Sequence, residues 1–223
     1  MNTMMFKLEK EMIPIIQRDI PKFFGDVSSQ TEFVSGLGRP DIVFARMDNR
    51  VKRTEALPDY KIIDLLIRYF NNKNEVVHID RILAVSPFSK RKLLSVMSVL
   101  IELGLLEQKS PNEYVRKNEY KSLLNNFVSV EAKLSNWQDG LCQAVRYKSF
   151  SNSSYLAISE EYLEEVDLAL LNYHGIGLIS VSPEKARVVC RARKDLPKNV
   201  VSHRYLSETF CVSGGLAVNA LSK

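Results

Sequence analysis

Apolar and polar positions change their period several times along the 223 residues. Residues 4–19 carry Met5, Leu8, Met12, Ile15 and Ile16 at steps of three and four, the spacing of a helix with one apolar face. Pro14 falls inside that run and must bend or restart the helix. Residues 31–47, "TEFVSGLGRPDIVFARM", give two short β-like runs around a Gly-rich turn, the second being "DIVFA". The polar stretch "DNRVKRTEALPD" then reads as a linker.

Between 58 and 118 the texture turns helical: "YKIIDLLIRYF", "IDRILAV" and "SKRKLLSVMSVLIELG", closed by a ribbon, "LLEQKSPNEYVRK", with "SPNE" at its tip. In the third helix Leu93, Met97, Leu100, Ile101 and Gly104 share one face, with Arg91, Ser95, Ser98 and Glu102 opposite. This segment resembles a winged helix-turn-helix domain. Beyond it, "FVSVEAKL" reads as a strand, "WQDGLCQAVRYKSF" as an amphipathic helix, "SSYLAIS" as a strand and "YLEEVDLALLNYHG" as a helix. "GIGLISVS" and "ARVVCRAR" form a last strand or hairpin. Without the insert the order is helix, three strands, helix, strand, helix, strand, so an α/β chain is expected in three parts: 1–57, 58–118 and 119–223.

The size and composition suit a packed core. No apolar run approaches the roughly 20 residues that span a bilayer, and charges at helical spacing interrupt the first residues where a signal peptide would be apolar, so a soluble, cytoplasmic protein is expected. Cys142, Cys190 and Cys211 lie far apart with no C-x-x-C pair, which argues against a zinc site or disulfides and for buried thiols. A net charge of +5 would attract polyanions.

The strand "VSVEAKL" carries the chemistry. Its period of two puts Glu131 and Lys133 on one face and Val130, Ala132 and Leu134 on the other. Burying either charge alone costs several kcal/mol, so the pair needs each other, a metal or solvent. Asp41 heads the other apolar strand, and if the two strands pair, Asp41 and Glu131 come close enough to share a divalent cation.

R-P-D at 39–41, E-A-K at 131–133 and "QAVRY" at 143–147 together resemble the PD-(D/E)xK superfamily, the restriction-endonuclease-like nucleases with a mixed central sheet flanked by helices. The resemblance covers the chain outside 58–118. It implies Mg²⁺, with Mn²⁺ able to substitute, held by Asp41, Glu131 and the backbone carbonyl of Ala132. Lys133 would orient or activate the attacking water. A glutamate of the first helix would complete the site, Glu11 fitting best and Glu9 second, with Gln143 facing the metal and Tyr147 supporting the site or touching DNA. The residue types suit the reaction: a phosphodiester repels an anionic nucleophile, so the site needs a hard cation on carboxylate oxygens and an ammonium to steady charge. Gly36 and Gly38 would let DNA or metal come close.

The chain is thus expected to be a metal-dependent DNA endonuclease, a homodimer if it cuts both strands, with no membrane partner and no small-molecule cofactor. Lys90, Arg91, Lys92 and Ser95 would meet duplex DNA at the start of the recognition helix; ten basic against seven acidic residues over 58–118 is only a small surplus, and a protein-interaction module is the rival. Arg39 reads as a phosphate clamp or a turn residue. Two further alternatives are a non-cleaving DNA-binding protein on the same scaffold and a nuclease of RNA or branched DNA. His78, His174 and His203 read as packing or surface residues, Trp137 as an anchor of its helix or a ring to stack on a base, and "SGG" at 213–215 as a turn. Residues 196–223 read as core, dimer arm or tail.

Overall fold

The computed structural model of the chain describes residues 6–51, 59–70 and 72–213. Met5, the linker residues 52–58 with the 57/58 boundary, and the glycines at 214 and 215 lie outside the described residues. In chain order, α1 (Ile13–Asp19) and α2 (Pro21–Phe24) precede β1 (Ser28–Thr31) and β2 (Ile42–Met47). Next come α3 (Tyr60–Tyr69), β3 (Val77–His78), α4 (Ile79–Leu83), α5 (Lys90–Glu102), β4 (Leu106–Ser110) and β5 (Glu113–Arg116). The rest runs β6 (Leu124–Lys133), α6 (Trp137–Tyr147), β7 (Ser153–Ser159), α7 (Leu168–His174), β8 (Gly177–Val181), β9 (Ala186–Cys190) and α8 (Val200–Ser213).

The chain is α/β, built on a mixed six-stranded sheet in the order β1-β2-β6-β7-β8-β9. β6, β7 and β8 are parallel, and the remaining neighbours are antiparallel. The period of two sorts the side chains. Ile42, Phe44, Val128, Val130 and Ala132 pack with Met12, Ile16 and Ile20 on one side. Val43, Ala45 and Phe127 pack with Tyr147, Leu206 and Phe210 on the other, which also carries α7 through Leu171.

Pro14 occupies the first turn of α1, where its missing N–H has no helical partner to lose, so it restarts the helix after a 3-10 turn at Glu9–Glu11. Leu8 is exposed and outside the apolar face expected of it. The first β run is also displaced. The strand is the polar Ser28–Thr31, and it stops where Glu32 turns to φ +55°. Phe33 instead plugs the core from the loop, against Phe127 and Phe210.

Residues between β2 and β6 build a separate three-stranded sheet, β3-β5-β4, packed with α3, α4 and α5 around Ile63, Leu66, Ile82, Leu93, Met97 and Leu100. The six-stranded sheet loses the chain at Met47 and regains it at Leu124, which are register partners. α8 bridges the two sheets. Leu206 and Phe210 sit in the larger core, while Tyr205 meets Tyr60 of α3 edge-on at 5.7 Å between ring centres. Residues 200–213 are therefore core rather than tail. Of the cysteines, Cys211 is buried as expected, but Cys142 is exposed and Cys190 half-buried. Among the described residues, no helix is long and apolar enough to cross a membrane.

Candidate active site

The last β2–β6 pair is Ile42 with Val130, so Asp41 stands beside Glu131 where β2 begins. By the period of two, Asp41, Glu131 and Lys133 face the α6 side of the sheet. Asp41 Oδ2 accepts a hydrogen bond from the Ala132 backbone N–H at 2.8 Å. In a strand the N–H and C=O of one residue project toward the same neighbour, which puts the Ala132 carbonyl on Asp41's side too. Lys133 Nζ lies 2.9 Å from Glu131 Oε1, and Tyr147 Oη donates to Glu131 Oε2 at 2.8 Å.

Two glycines make this packing feasible. Gly38 has φ +134°, and a Cβ there would fall 2.7 Å from Tyr147 Cε1. It opens space for the tyrosine ring, not for DNA. At Gly140 of α6 a Cβ would fall 2.8 Å from Lys133 Cγ and 2.5 Å from Leu156 Cδ1, so glycine lets the helix close onto β6 and β7.

Charge and burial oppose each other here. Glu131 is only 3% exposed, and burial, then repulsion from Asp41, push its carboxyl up to about 7 despite Lys133 and Tyr147. Burial also raises Asp41, against the Ala132 hydrogen bond and Lys133. Burial alone would lower Lys133, but the hydrogen bond and charge of Glu131, with Glu9 and Asp139, outweigh it and lift the ammonium above its usual range. Burial and the neighbouring Glu131 hold the Tyr147 phenol well above an ordinary tyrosine, so it remains a donor. Two strained acids and a firmly cationic lysine therefore meet at one sheet end.

No family model and no curated protein matches the chain. It is similar to the solved structure of a protein of unknown function from Silicibacter pomeroyi, at 12% identity and a TM-score of 0.48, over 97% of this chain and 93% of that one.

The remaining candidates divide. Glu9 reaches Lys133 at 3.9 Å, whereas the Glu11 carboxylate accepts from the Lys7 and Leu8 backbone N–H groups, at 2.7 Å and 3.3 Å, and closes its own turn. Gln143 does not face the acids directly. Its Nε2 donates to Asp139 Oδ2 at 2.6 Å, and Asp139 in turn lies 3.6 Å from Lys133. Asp139 was missed in the sequence, although its four-residue spacing to Gln143 was there to be read. Tyr147, 1% exposed, supports Glu131 and has no surface to offer DNA. Arg39 pairs with Glu32 at 2.5 Å in the open. Lys90, Arg91, Lys92 and Ser95 are exposed on the first turns of α5, which Ser89 caps by accepting from the Lys92 N–H. Among the described residues, no group of three or more His, Cys, Asp and Glu gathers as a metal cage. The oxygen set at Asp41 is two carboxylates and one carbonyl.

Proposed function

We propose that the chain is a metal-dependent DNA endonuclease with a restriction-endonuclease-like core of the PD-(D/E)xK type. The observation that carries this reading is the meeting of Asp41, Glu131 and Lys133, 90 residues apart in sequence, on one face at one end of two paired strands. The oxygen set suits Mg²⁺, which is bound through one or two carboxylates together with substrate phosphates and waters rather than by an all-protein cage. Two facing acids, both raised by burial, are also what a divalent cation would relieve. Asp41, Glu131 and the Ala132 carbonyl would hold it; when bound, it draws charge off the phosphodiester and makes water a better nucleophile.

The protein's own groups have separable tasks. Lys133, kept cationic by three carboxylates, presents its ammonium to phosphate oxygens as charge builds in the transition state. Tyr147 fixes one Glu131 oxygen so that the carboxylate keeps its orientation. Asp139 and Gln143 steady Lys133 from the solvent side. The order helix, strand, helix, helix, hairpin between β2 and β6 supports reading residues 58–118 as a winged-helix insert whose exposed Lys90, Arg91 and Lys92 would contact duplex phosphates.

Supercoiled plasmid incubated with the chain tests the proposal. Nicked or linear product should form with Mg²⁺ or Mn²⁺, vanish with EDTA, and vanish in Glu131→Ala with plasmid binding retained. Binding without a topological change under either metal would leave a non-cleaving scaffold protein.

A further inference from the structure

Away from the carboxylates, α6 and α7 end together at a cleft of about 320 Å³ lined by Lys148, Tyr173, His174, Arg193, Asp195 and Lys198. Helix C-termini carry partial negative charge, so two of them together would repel an anion unless covered. Lys148 covers them. Its side chain is only 7% exposed, donates to the His174 carbonyl at 2.9 Å and pairs with Asp195 at 2.6 Å. With Lys148 and Asp195 offsetting each other, Arg193 and Lys198 are the surplus charge.

Arg193 meets Asp195 through Nε at 3.1 Å and stays 61% exposed, and a guanidinium fork has further N–H donors to offer. Lys198 is exposed on the same rim. Tyr173 is 78% exposed, its ring held edge-on by His174 at 5.0 Å between centres. Cations for phosphate beside an uncovered aromatic ring for a base are the elements of a single-strand binding surface.

Position links the cleft to the carboxylates. α6 begins beside Lys133, where Asp139 sits, and Lys148 immediately follows its last residue. Its 11 residues span ~16 Å at 1.5 Å each. That is the reach of a few nucleotides of single strand. Arg146 is exposed on the last turn of the helix between them.

We propose that this cleft is a second nucleic-acid site, holding an unpaired phosphodiester strand a few nucleotides from the bond positioned at Asp41 and Glu131. The inference rests on the nuclease reading for its substrate, but its test is read without hydrolysis. Fluorescence anisotropy of a fluorescein-labelled single-stranded oligonucleotide is followed in EDTA across a salt titration. The double variant Arg193→Ala/Lys198→Ala should bind about tenfold more weakly, and the slope of log K against log salt should flatten by about 1.4, two contacts at about 0.7 each for a single strand. Because Arg193 also braces Asp195, Lys198→Glu alone is the second variant, and it should weaken binding in the same direction. Tyr173→Ala should weaken the single strand at least about fivefold and leave a blunt duplex unaffected. Unchanged affinity and slope in both charge variants would overturn the site, as would an equal loss for strand and duplex on removing Tyr173. A wild-type chain that binds no oligonucleotide overturns it too. If the strand binds as expected but plasmid is never cut, hydrolysis fails and this contact stands.

Discussion

Glu131 sits where burial penalises a charge that the proposed chemistry needs, and its neighbours decide whether it is kept in place. Tyr147→Phe removes the donor to the carboxylate of Glu131, a residue only 3% exposed, which should cost about 1–3 kcal/mol in urea unfolding. A change below ~0.3 kcal/mol would mean that the hydroxyl holds nothing. Gly38→Ala combines a left-handed backbone with a clash against the same ring, and should lower the urea midpoint by more than ~1 kcal/mol equivalent; wild-type stability would refute that packing. His203 behaves differently. Burial lowers its pKa, with Arg204 adding to this against the Phe150 carbonyl. Below about 6.5 the unfolded chain therefore binds more protons at this residue than the folded one. Its stabilising contribution is present above that pH and is lost as the pH falls through the folded value. Wild type should lose more stability than His203→Gln between pH 7.5 and 5.5, and parallel pH profiles would sink the assignment.

Elements were legible where one physical rule dominated. "DIVFA" and "FVSVEAK" follow the strand period and pair as expected, and Leu93, Met97 and Leu100 of α5 keep the helical face that the sequence implies. β1 was misplaced because "SSQT" is a polar edge strand with no buried face to alternate. α8 was not recognised as a helix because Ser202, Ser207 and Glu208 are buried beside Leu206 and Phe210, which blurs its apolar stripe. Two of these side chains are satisfied within the fold: Ser207 Oγ donates to the His203 carbonyl one turn back, and Glu208 accepts from the Tyr120 hydroxyl across the core. The sequence ranks Glu11 above Glu9, but Glu11 closes its own 3-10 turn and it is Glu9 that reaches Lys133, a difference the helical spacing alone does not carry. The buried face of α8 carries its own expectation. Phe210→Ala, deleting a ring that contacts Phe33 and Phe127, should cost about 3–5 kcal/mol in denaturant unfolding. A loss below ~1 kcal/mol would show that α8 is not a structural part of the core.

At the scale of the molecule, strand direction separates the proposed sites. β2 carries the chain from Asp41 to Met47 and β6 returns it from Leu124 to Lys133, so the unit between them is rooted at the sheet end remote from the acids. The cleft at Lys148 and Asp195 lies toward that same end, next to Asn152 at the start of β7. A substrate engaging all three would lie along the sheet, with its contacts spread over several nucleotides. The proposed hydrolysis depends on Asp41 and Glu131 sharing one cation. Titration calorimetry of Mn²⁺ into the metal-free chain measures that sharing directly. The account predicts one site per chain, abolished by Glu131→Gln and by Asp41→Asn; binding heats unchanged in both variants, or absent from the wild-type chain with substrate present, would contradict it.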